Sequence, residues 1–221
     1  MKKIFGFLSL AAALLIAGNA NAQFGAYVGM APQTYVKTVT SGNTSVTDTL
    51  SLRGYAIGGF YEMPINSGLN MSVGLQFRMN TKTEQGSGTL FGFTGDTYQK
   101  IDQSLIDIPI LFKYSIELAD GINLTPFVGP TVTYALSGKT YTKVTASGFG
   151  TSATLYDGTS DWYGENSTFS KLDVSVTVGA SISLRDFRIF GGYNMGLMNL
   201  ASEDNTTLKG SNLFFGLGYV L

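Results

Sequence analysis

In residues 69–80, LNMSVGLQFRMN, apolar and polar side chains alternate without a break. Leucine, methionine, valine and phenylalanine occupy the odd positions, while asparagine, serine, glycine, glutamine and arginine occupy the even ones. Because successive side chains of a β-strand point to opposite faces, this pattern predicts a strand with one apolar face and one polar face.

The same alternation recurs along the chain, most clearly in residues 172–184 and less cleanly in residues 106–118, 122–136 and 213–221. Strands of soluble proteins average about five or six residues, whereas a tilted strand needs about 9–11 residues to cross a bilayer. Alternation of this length is typical of an outer-membrane barrel, with apolar side chains toward lipid and polar side chains toward the lumen.

The connections between the predicted strands give independent support. We expect eight strands, at residues 24–40, 49–63, 69–82, 98–118, 122–142, 168–184, 187–200 and 211–221. Short connections (64–68, 119–121, 185–186) then alternate with long ones (41–48, 83–97, 143–167, 201–210). Short periplasmic turns and long outer loops produce this alternation, and an even number of strands lets the sheet close. The sequence therefore predicts an all-β, eight-stranded antiparallel transmembrane up-and-down β-barrel, with a soluble β-sandwich as the alternative.

The N-terminus indicates export. Lys2 and Lys3 precede an apolar segment, residues 4–18, and an A-x-A sequence ends at Ala22. These are the three parts of a cleaved signal peptide, and the apolar segment is shorter than the roughly 20 residues of a spanning helix. We therefore expect the chain to consist of a signal peptide, 1–22, and an outer-membrane barrel domain, 23–221.

Several short motifs point to a known family. They are DIPILFKY at 107–114, PFVGP at 126–130, GGYNMGL at 191–197 and GLGY at 216–219. With these motifs the chain resembles the outer membrane protein β-barrel domain family, the PorT-like small barrels of the Bacteroides group. The resemblance implies an outer-membrane location, with membrane lipid and the barrel-assembly machinery as partners. The ending Tyr219-Val220-Leu221 departs from the terminal aromatic residue that this machinery usually reads.

The amino-acid composition limits the activities that this chain can have. Outer-membrane phospholipases, lipid A deacylases, palmitoyl transferases and omptin proteases resemble one another in using a histidine, and this chain has neither histidine nor cysteine. A Ser–His–acid site is therefore impossible, and the usual zinc ligands are missing. Charged residues make up only 13% of the chain, with a net charge of −1, so no basic patch indicates nucleic acid. We expect no enzymatic activity, no catalytic or metal site and no cofactor.

Four charged residues form the first candidate site. By strand parity Arg78, Lys113, Glu117 and Asp173 point into the lumen. Charges removed from bulk water usually pair, and an eight-stranded barrel is just wide enough to be filled by side chains. We expect a lumen charge network that plugs the barrel; the alternative is a narrow or gated pore for a small or hydrophobic solute.

The longest connection, residues 143–167, is the second candidate site. It carries Phe149, Tyr156, Trp162 and Tyr163 among glycine, serine and threonine. Exposed loops on a rigid scaffold commonly carry function, so these aromatic residues are candidates for contact with a surface glycan or protein partner. The alternative is that they pack on the barrel rim. The sequence thus predicts a non-enzymatic outer-membrane barrel with a structural or surface-interaction role.

Overall fold

The computed structural model describes residues 23–42, 44–90, 93–148, 150–163, 169–201 and 203–221, so the predicted signal peptide lies outside the described residues. The described chain is built of antiparallel β-strands, in agreement with the predicted class. The strands are β1 (Gln23–Met30), β2 (Gln33–Ser41), β3 (Thr44–Asn66), β4 (Leu69–Leu90), β5 (Phe93–Tyr114), β6 (Ile116–Ala119), β7 (Ile122–Gly148), β8 (Thr151–Asp161), β9 (Leu172–Leu184), β10 (Phe187–Gly196) and β11 (Thr206–Val220).

These strands occupy eight positions around a closed ring. β1 and β2 together form the first position, because both pair with β3 on one side and with β11 on the other. The predicted first strand, 24–40, is interrupted at Ala31 and Pro32, where proline lacks the N–H needed for the ladder. β6 continues the position of β5 after a break at Ser115. Pairing of β11 with β1 and β2 closes the barrel.

The barrel places polar side chains inside and apolar side chains outside, the reverse of a soluble protein. On β4, Leu75, Phe77 and Met79 are 60%, 36% and 52% exposed. Arg78 and Asn80, which occupy alternate positions of the same strand, are only 3% and 2% exposed. The same reversal holds around the ring, because the buried side chains are largely polar and the exposed ones are largely apolar. An apolar outer surface surrounding a polar interior is the pattern of a barrel solvated by lipid. Among the described residues there is no helix with the length and hydropathy of a membrane span.

Tight turns close one end of the barrel. Gly68 and Gly121 have φ angles of 77° and 70° in two of them, and Arg185 has a φ angle of 52° in the third. Positive φ is free for glycine but costs a residue with a Cβ roughly 1–2 kcal/mol. These are the three predicted short connections, and we call this the short-turn end of the barrel.

The opposite end extends far beyond the ring, and here three of the four predicted long loops prove to be mostly strand. In the 41–48 connection, β2 pairs with β3 as far as Ser41 and Thr44. The 83–97 connection is a hairpin of β4 and β5 whose pairing reaches Leu90 and Phe93. In the 143–167 connection, β7 continues to Gly148 and β8 returns beside it, pairing from Thr151 to Asp161. Threonine-rich segments suit strands by propensity, but in water neither face needs to be apolar, so the alternation that identifies a membrane strand is lost.

A β-bulge marks where this extension leaves the barrel. The register of β5 and β7 shifts between Ser104 and Leu105, and the pairing of β7 with β9 ends at Tyr134. Bulges bend a strand and increase its twist. Beyond this point β4, β5, β7 and β8 form a projecting four-stranded sheet, while β2 and β3 form a separate projecting hairpin that β11 flanks.

The turn geometry generates a test of stability. We expect Arg185→Gly to raise the free energy of unfolding by about 0.5–1 kcal/mol, because it relieves positive-φ strain that outweighs the added freedom of the unfolded chain. Gly121→Ala is the matched opposite change, since its new Cβ meets nothing closer than Arg185 Cγ at 3.9 Å. We expect it to lower stability by about 1 kcal/mol. Urea unfolding in lipid vesicles measures both, and a loss of stability in Arg185→Gly would contradict the strain argument.

Candidate functional site

The lumen is filled by layers of polar side chains, of which the first lies near the short-turn end. Glu62 of β3 accepts hydrogen bonds through Oε2 from Lys113 Nζ at 2.8 Å and from Arg188 Nη1 at 2.9 Å. The three side chains are 7%, 8% and 11% exposed. Both cations also lie against the ring of Phe60, with Lys113 Nζ 4.9 Å and Arg188 Cζ 5.3 Å from its centroid. We call Glu62, Lys113 and Arg188 the inner cluster.

A second layer, the outer cluster, crosses the middle of the lumen. Arg78 Nη2 lies 3.0 Å from Asp107 Oδ1, and Arg78 Nη1 donates to Gln33 Oε1 at 2.5 Å. Asp107 also accepts hydrogen bonds from Gln76 Nε2 at 2.7 Å and Thr133 Oγ1 at 2.7 Å. Three further side chains, from β2, β4 and β7, thus hydrogen-bond to one buried ion pair, although Arg78 Nε has no partner among the described residues. Such hydrogen bonds help a buried pair to be tolerated in a low dielectric.

A third layer, the cap, closes the outer end of the lumen. Gln103 Nε2 donates to Tyr35 Oη at 2.6 Å and to Tyr163 Oη at 2.8 Å, and Asn80 Nδ2 donates to Gln103 Oε1 at 2.9 Å. Tyr163 follows β8 and reaches the lumen because Gly138 leaves room, since a Cβ there would come within 2.6 Å of the tyrosine ring. Burial raises the pKa of the Tyr163 phenol above its ordinary value, so it acts in this layer as a neutral hydroxyl.

The four lumen charges predicted from parity do not form one network. Arg78 and Lys113 belong to different clusters, and Asp173 lies half-buried on β9, with Oδ1 unpartnered among the described residues. Glu117 belongs to neither cluster and is exposed on β6. It pairs with Asn123, which lines a polar cavity at the short-turn end, so its inward direction stays a prediction at a position beyond the buried layers.

The partners of these cations were missed by sequence reasoning, although part of the signal was present. Asp107 shares the odd parity of Lys113 on β5, so it could have been assigned to the lumen. Glu62 lies where both faces of β3 are mixed, and Arg188 lies on β10 opposite small residues of β11. Which cation meets which anion depends on the stagger of strands around the ring, and no single strand encodes that stagger.

An open cleft of about 440 Å³ lies above the cap, between the projecting sheet and the β2–β3 hairpin. Its floor is apolar and aromatic, formed mainly by Tyr35, Leu50, Ile101, Trp162 and Leu200. Its walls carry two lysines and two acidic residues besides neutral hydrogen-bonding groups: Lys37, Lys82, Asp48, Glu84, Thr49, Gln99, Thr140 and Ser170. We call this space the outer cleft.

The predicted loop aromatics separate into three groups. Trp162 and Tyr163 are partly buried and line the outer cleft, where Trp162 Nε1 donates to Thr140 Oγ1 at 2.7 Å. Tyr156 is 52% exposed on β8 and does not line the cleft. Phe149 lies outside the described residues. Trp162 also packs edge-on against Tyr35, with centroids 6.1 Å apart. This contact agrees with the alternative prediction that the loop aromatics pack on the barrel rim.

The part of the chain that the structure describes contains no group of three or more acidic, histidine or cysteine residues placed to hold a metal ion. The clustered polar groups of the lumen are ion pairs and amide–hydroxyl hydrogen bonds. This arrangement can rigidify the barrel and close its lumen, while the outer cleft offers an open surface for a ligand.

The inner cluster generates a second stability test. We expect Glu62→Gln to lower the free energy of unfolding by about 3–5 kcal/mol, because it leaves two buried cations without their shared anion. Asp102→Asn is the matched control at the exposed Lys100–Asp102 pair, whose side chains are 45% and 55% exposed, and it should change stability little. Urea unfolding in vesicles checks both changes. Equal effects would show that burial does not strengthen the inner cluster.

Comparison with known proteins begins with solved structures. The chain is 17% identical to Ail, the attachment invasion locus protein of Yersinia pestis, solved with the heparin analogue sucrose octasulfate; the match covers 89% of this chain and 99% of that one, with a TM-score of 0.34. Neisserial surface protein A is 11% identical over 87% and 96% of the two chains, with a TM-score of 0.34. The outer membrane protease OmpT from Escherichia coli is 9% identical over 90% and 97%, with a TM-score of 0.41.

No curated protein matches the chain. A family model does: that of the outer membrane protein β-barrel domain matches residues 16–202, which is most of the sequence. The closed eight-position ring, its apolar outer surface and its polar lumen agree with that match. The chain therefore belongs to the outer membrane protein β-barrel domain family, and it is an integral β-barrel protein of the bacterial outer membrane.

Proposed function

We propose that this outer-membrane barrel is a non-enzymatic surface-interaction protein that binds an extracellular glycan in the outer cleft. The single observation that carries the proposal is the cleft itself, a space of about 440 Å³ between two projecting groups of paired strands, with the cap below it. Small-molecule sites commonly have volumes of roughly 300–1,000 Å³ and combine apolar walls with a few polar groups.

The chemistry of the cleft favours a neutral oligosaccharide. Trp162 and Tyr163, both partly buried, offer aromatic surface, which suits the apolar faces of sugar rings, and the walls offer hydroxyl, amide and charged groups for hydrogen bonding. Its two lysines are balanced by Asp48 and Glu84, so the cleft has no net charge to attract a polyanion. A segment of a protein partner is the alternative occupant.

The layered lumen supports a scaffold role for the barrel. Three polar layers lie in series between the short-turn end and the outer cleft, and an eight-stranded interior is only wide enough for such side chains. Burial of these hydrogen-bonded groups stabilises one arrangement of the ring. The absence of histidine from the sequence further favours a non-enzymatic role, because the common acyl-transfer arrangements need one.

Trp162 provides a direct test, because it is the only tryptophan in the chain. We expect a panel of neutral oligosaccharides to contain one that produces a saturable change in Trp162 fluorescence in the refolded barrel, since its ring lines the cleft. Isothermal calorimetry then compares Trp162→Phe, expected to bind at least about tenfold more weakly, with the exposed control Tyr156→Phe, expected to bind normally. Binding that survives in Trp162→Phe, or saturable binding by peptides alone, would contradict the glycan proposal.

A narrow pore is the second candidate function, favoured by the presence of cavities of about 440 Å³ and 400 Å³ at the two ends of the lumen. The side-chain layers separate these cavities. We therefore expect the purified barrel to give no stable unit currents in a planar bilayer, while Glu62→Gln raises the frequency of brief openings by loosening the inner cluster. Stable unit currents from the unaltered protein would favour the pore over the plugged scaffold.

A further inference from the structure

We propose that the barrel also binds a short-chain carboxylate inside the lumen, in a chamber between the inner and outer clusters. This site is separate from the outer cleft and does not depend on the proposed surface function. The chamber has a volume of about 90 Å³. Its polar lining includes Lys113 and Arg188 at one end, and its apolar lining includes Phe127, Phe190 and Phe214.

The charge of the inner cluster is unbalanced. Glu62 supplies one negative charge to two cations, Lys113 and Arg188, and all three side chains are nearly buried. The nearest other carboxylate in the chamber wall is Asp107, which already pairs with Arg78 and accepts two further hydrogen bonds. One excess positive charge therefore remains at this end of the chamber. Buried charges are strongly disfavoured unless paired, so the site favours an anion.

Arg188 also has unused hydrogen-bonding capacity. Its Nη1 donates to Glu62 at 2.9 Å, but its buried Nε has no hydrogen-bond partner within the part of the chain that the structure describes. A buried donor without a partner costs about 1–3 kcal/mol, and more when it is charged. A carboxylate at this end of the chamber would accept this hydrogen bond and supply the missing negative charge together.

The rest of the chamber selects for a small apolar body. Phe127, Phe190 and Phe214 line it, and Phe127 stacks on Phe214 with centroids 6.4 Å apart. A dry cavity of about 150 Å³ holds one benzene molecule, so the smaller chamber of about 90 Å³ suits a ligand of fewer heavy atoms than benzene. A carboxylate of two or three carbons meets that size and places its hydrocarbon part among the rings.

The chamber adjoins a second cavity at the short-turn end, with Arg188 between the two. A polar cavity of about 400 Å³ opens there, lined by Asn70, Ser115, Thr125 and Arg185 among others. Arg188 lines both this cavity and the chamber. Its side chain therefore separates the two spaces, and an anion arriving from the periplasmic side meets a guanidinium before it reaches the aromatic walls.

The test is calorimetric titration of the full refolded barrel in detergent micelles with acetate and propionate, compared with acetamide and chloride. Acetamide matches acetate in shape but is neutral, whereas chloride has the charge without the apolar body. We expect saturable carboxylate binding, with acetamide and chloride each at least about tenfold weaker. Acetamide binding as tightly as acetate would overturn the ionic argument, and chloride binding as tightly would overturn the carboxylate class. Absence of carboxylate binding would overturn the whole proposal.

Two variants locate the site. Arg188→Gln removes the charge and the Nε donor geometry, and we expect it to weaken carboxylate binding at least about tenfold. Gly218→Ala tests the chamber while keeping every charged group, because its new Cβ lies in ordinary contact with Ala26 O at 3.4 Å, Tyr27 Cβ at 3.6 Å and Arg188 Cβ at 3.8 Å. It places a methyl group in the chamber wall and should also weaken binding.

Gly86→Ala is the matched control, since Gly86 lies on the projecting part of β4 with nothing within 4 Å of its new Cβ. We expect this variant to bind carboxylate normally. Unchanged binding in both Arg188→Gln and Gly218→Ala would overturn the assignment to the chamber. If Arg188→Gln does not refold, the comparison of carboxylate binding between Gly218→Ala and Gly86→Ala decides whether the site lies in the chamber. Because Trp162 fluorescence reports the outer cleft separately, failure here leaves the surface proposal standing.

Discussion

In a bilayer every backbone N–H and C=O must find a hydrogen-bond partner within the protein, and this demand determines the architecture of the barrel. Hydrocarbon offers no hydrogen bonds, so an open sheet edge costs several kcal/mol for each unsatisfied group. The ring meets this demand where β11 pairs with β1 and then with β2. Even the interruption at Pro32 is covered, because Ala31 N donates to Gly54 O at 2.9 Å.

Closing the ring also encloses polar and charged side chains in a narrow interior. Alternation that places Leu75 and Phe77 in lipid must place Gln76 and Arg78 inside. Eight strands leave too little room to hydrate such groups fully, so they are stabilised by one another. The outer cluster is complete in charge, whereas the inner cluster joins two cations to Glu62 alone. Both clusters result from closing the ring around polar side chains. Because only the inner cluster has an excess positive charge, the inner end of the lumen is the end that attracts an anion.

Sequence predicts most of the part that lies in lipid and little of what lies beyond it. At residues 69–80 lipid and lumen impose opposite demands on neighbouring side chains, so the pattern is unmistakable. In β8 water surrounds both faces, so residues 151–161 show no alternation of apolar and polar side chains although they form a strand. Within the lumen, parity assigns Lys113 correctly because β5 is continuous there. It does not reveal that Glu117 lies beyond the buried layers, where its side chain is exposed and joins neither cluster.

The length of the strands points to the outer end as the place of function. β7 has 27 residues and is therefore roughly 90 Å long, whereas the hydrocarbon core is about 30 Å thick and needs about 9–11 residues. The bulge beside Leu105 lies where this surplus leaves the ring, and bulges bend a strand. A projecting sheet adds exposed backbone and entropy cost without helping the barrel to span the membrane. Its clearest structural consequence is a wall of the outer cleft, where Trp162 is held by Thr140 of the same extension. A binding role for that cleft is the simplest reason for the chain to maintain it.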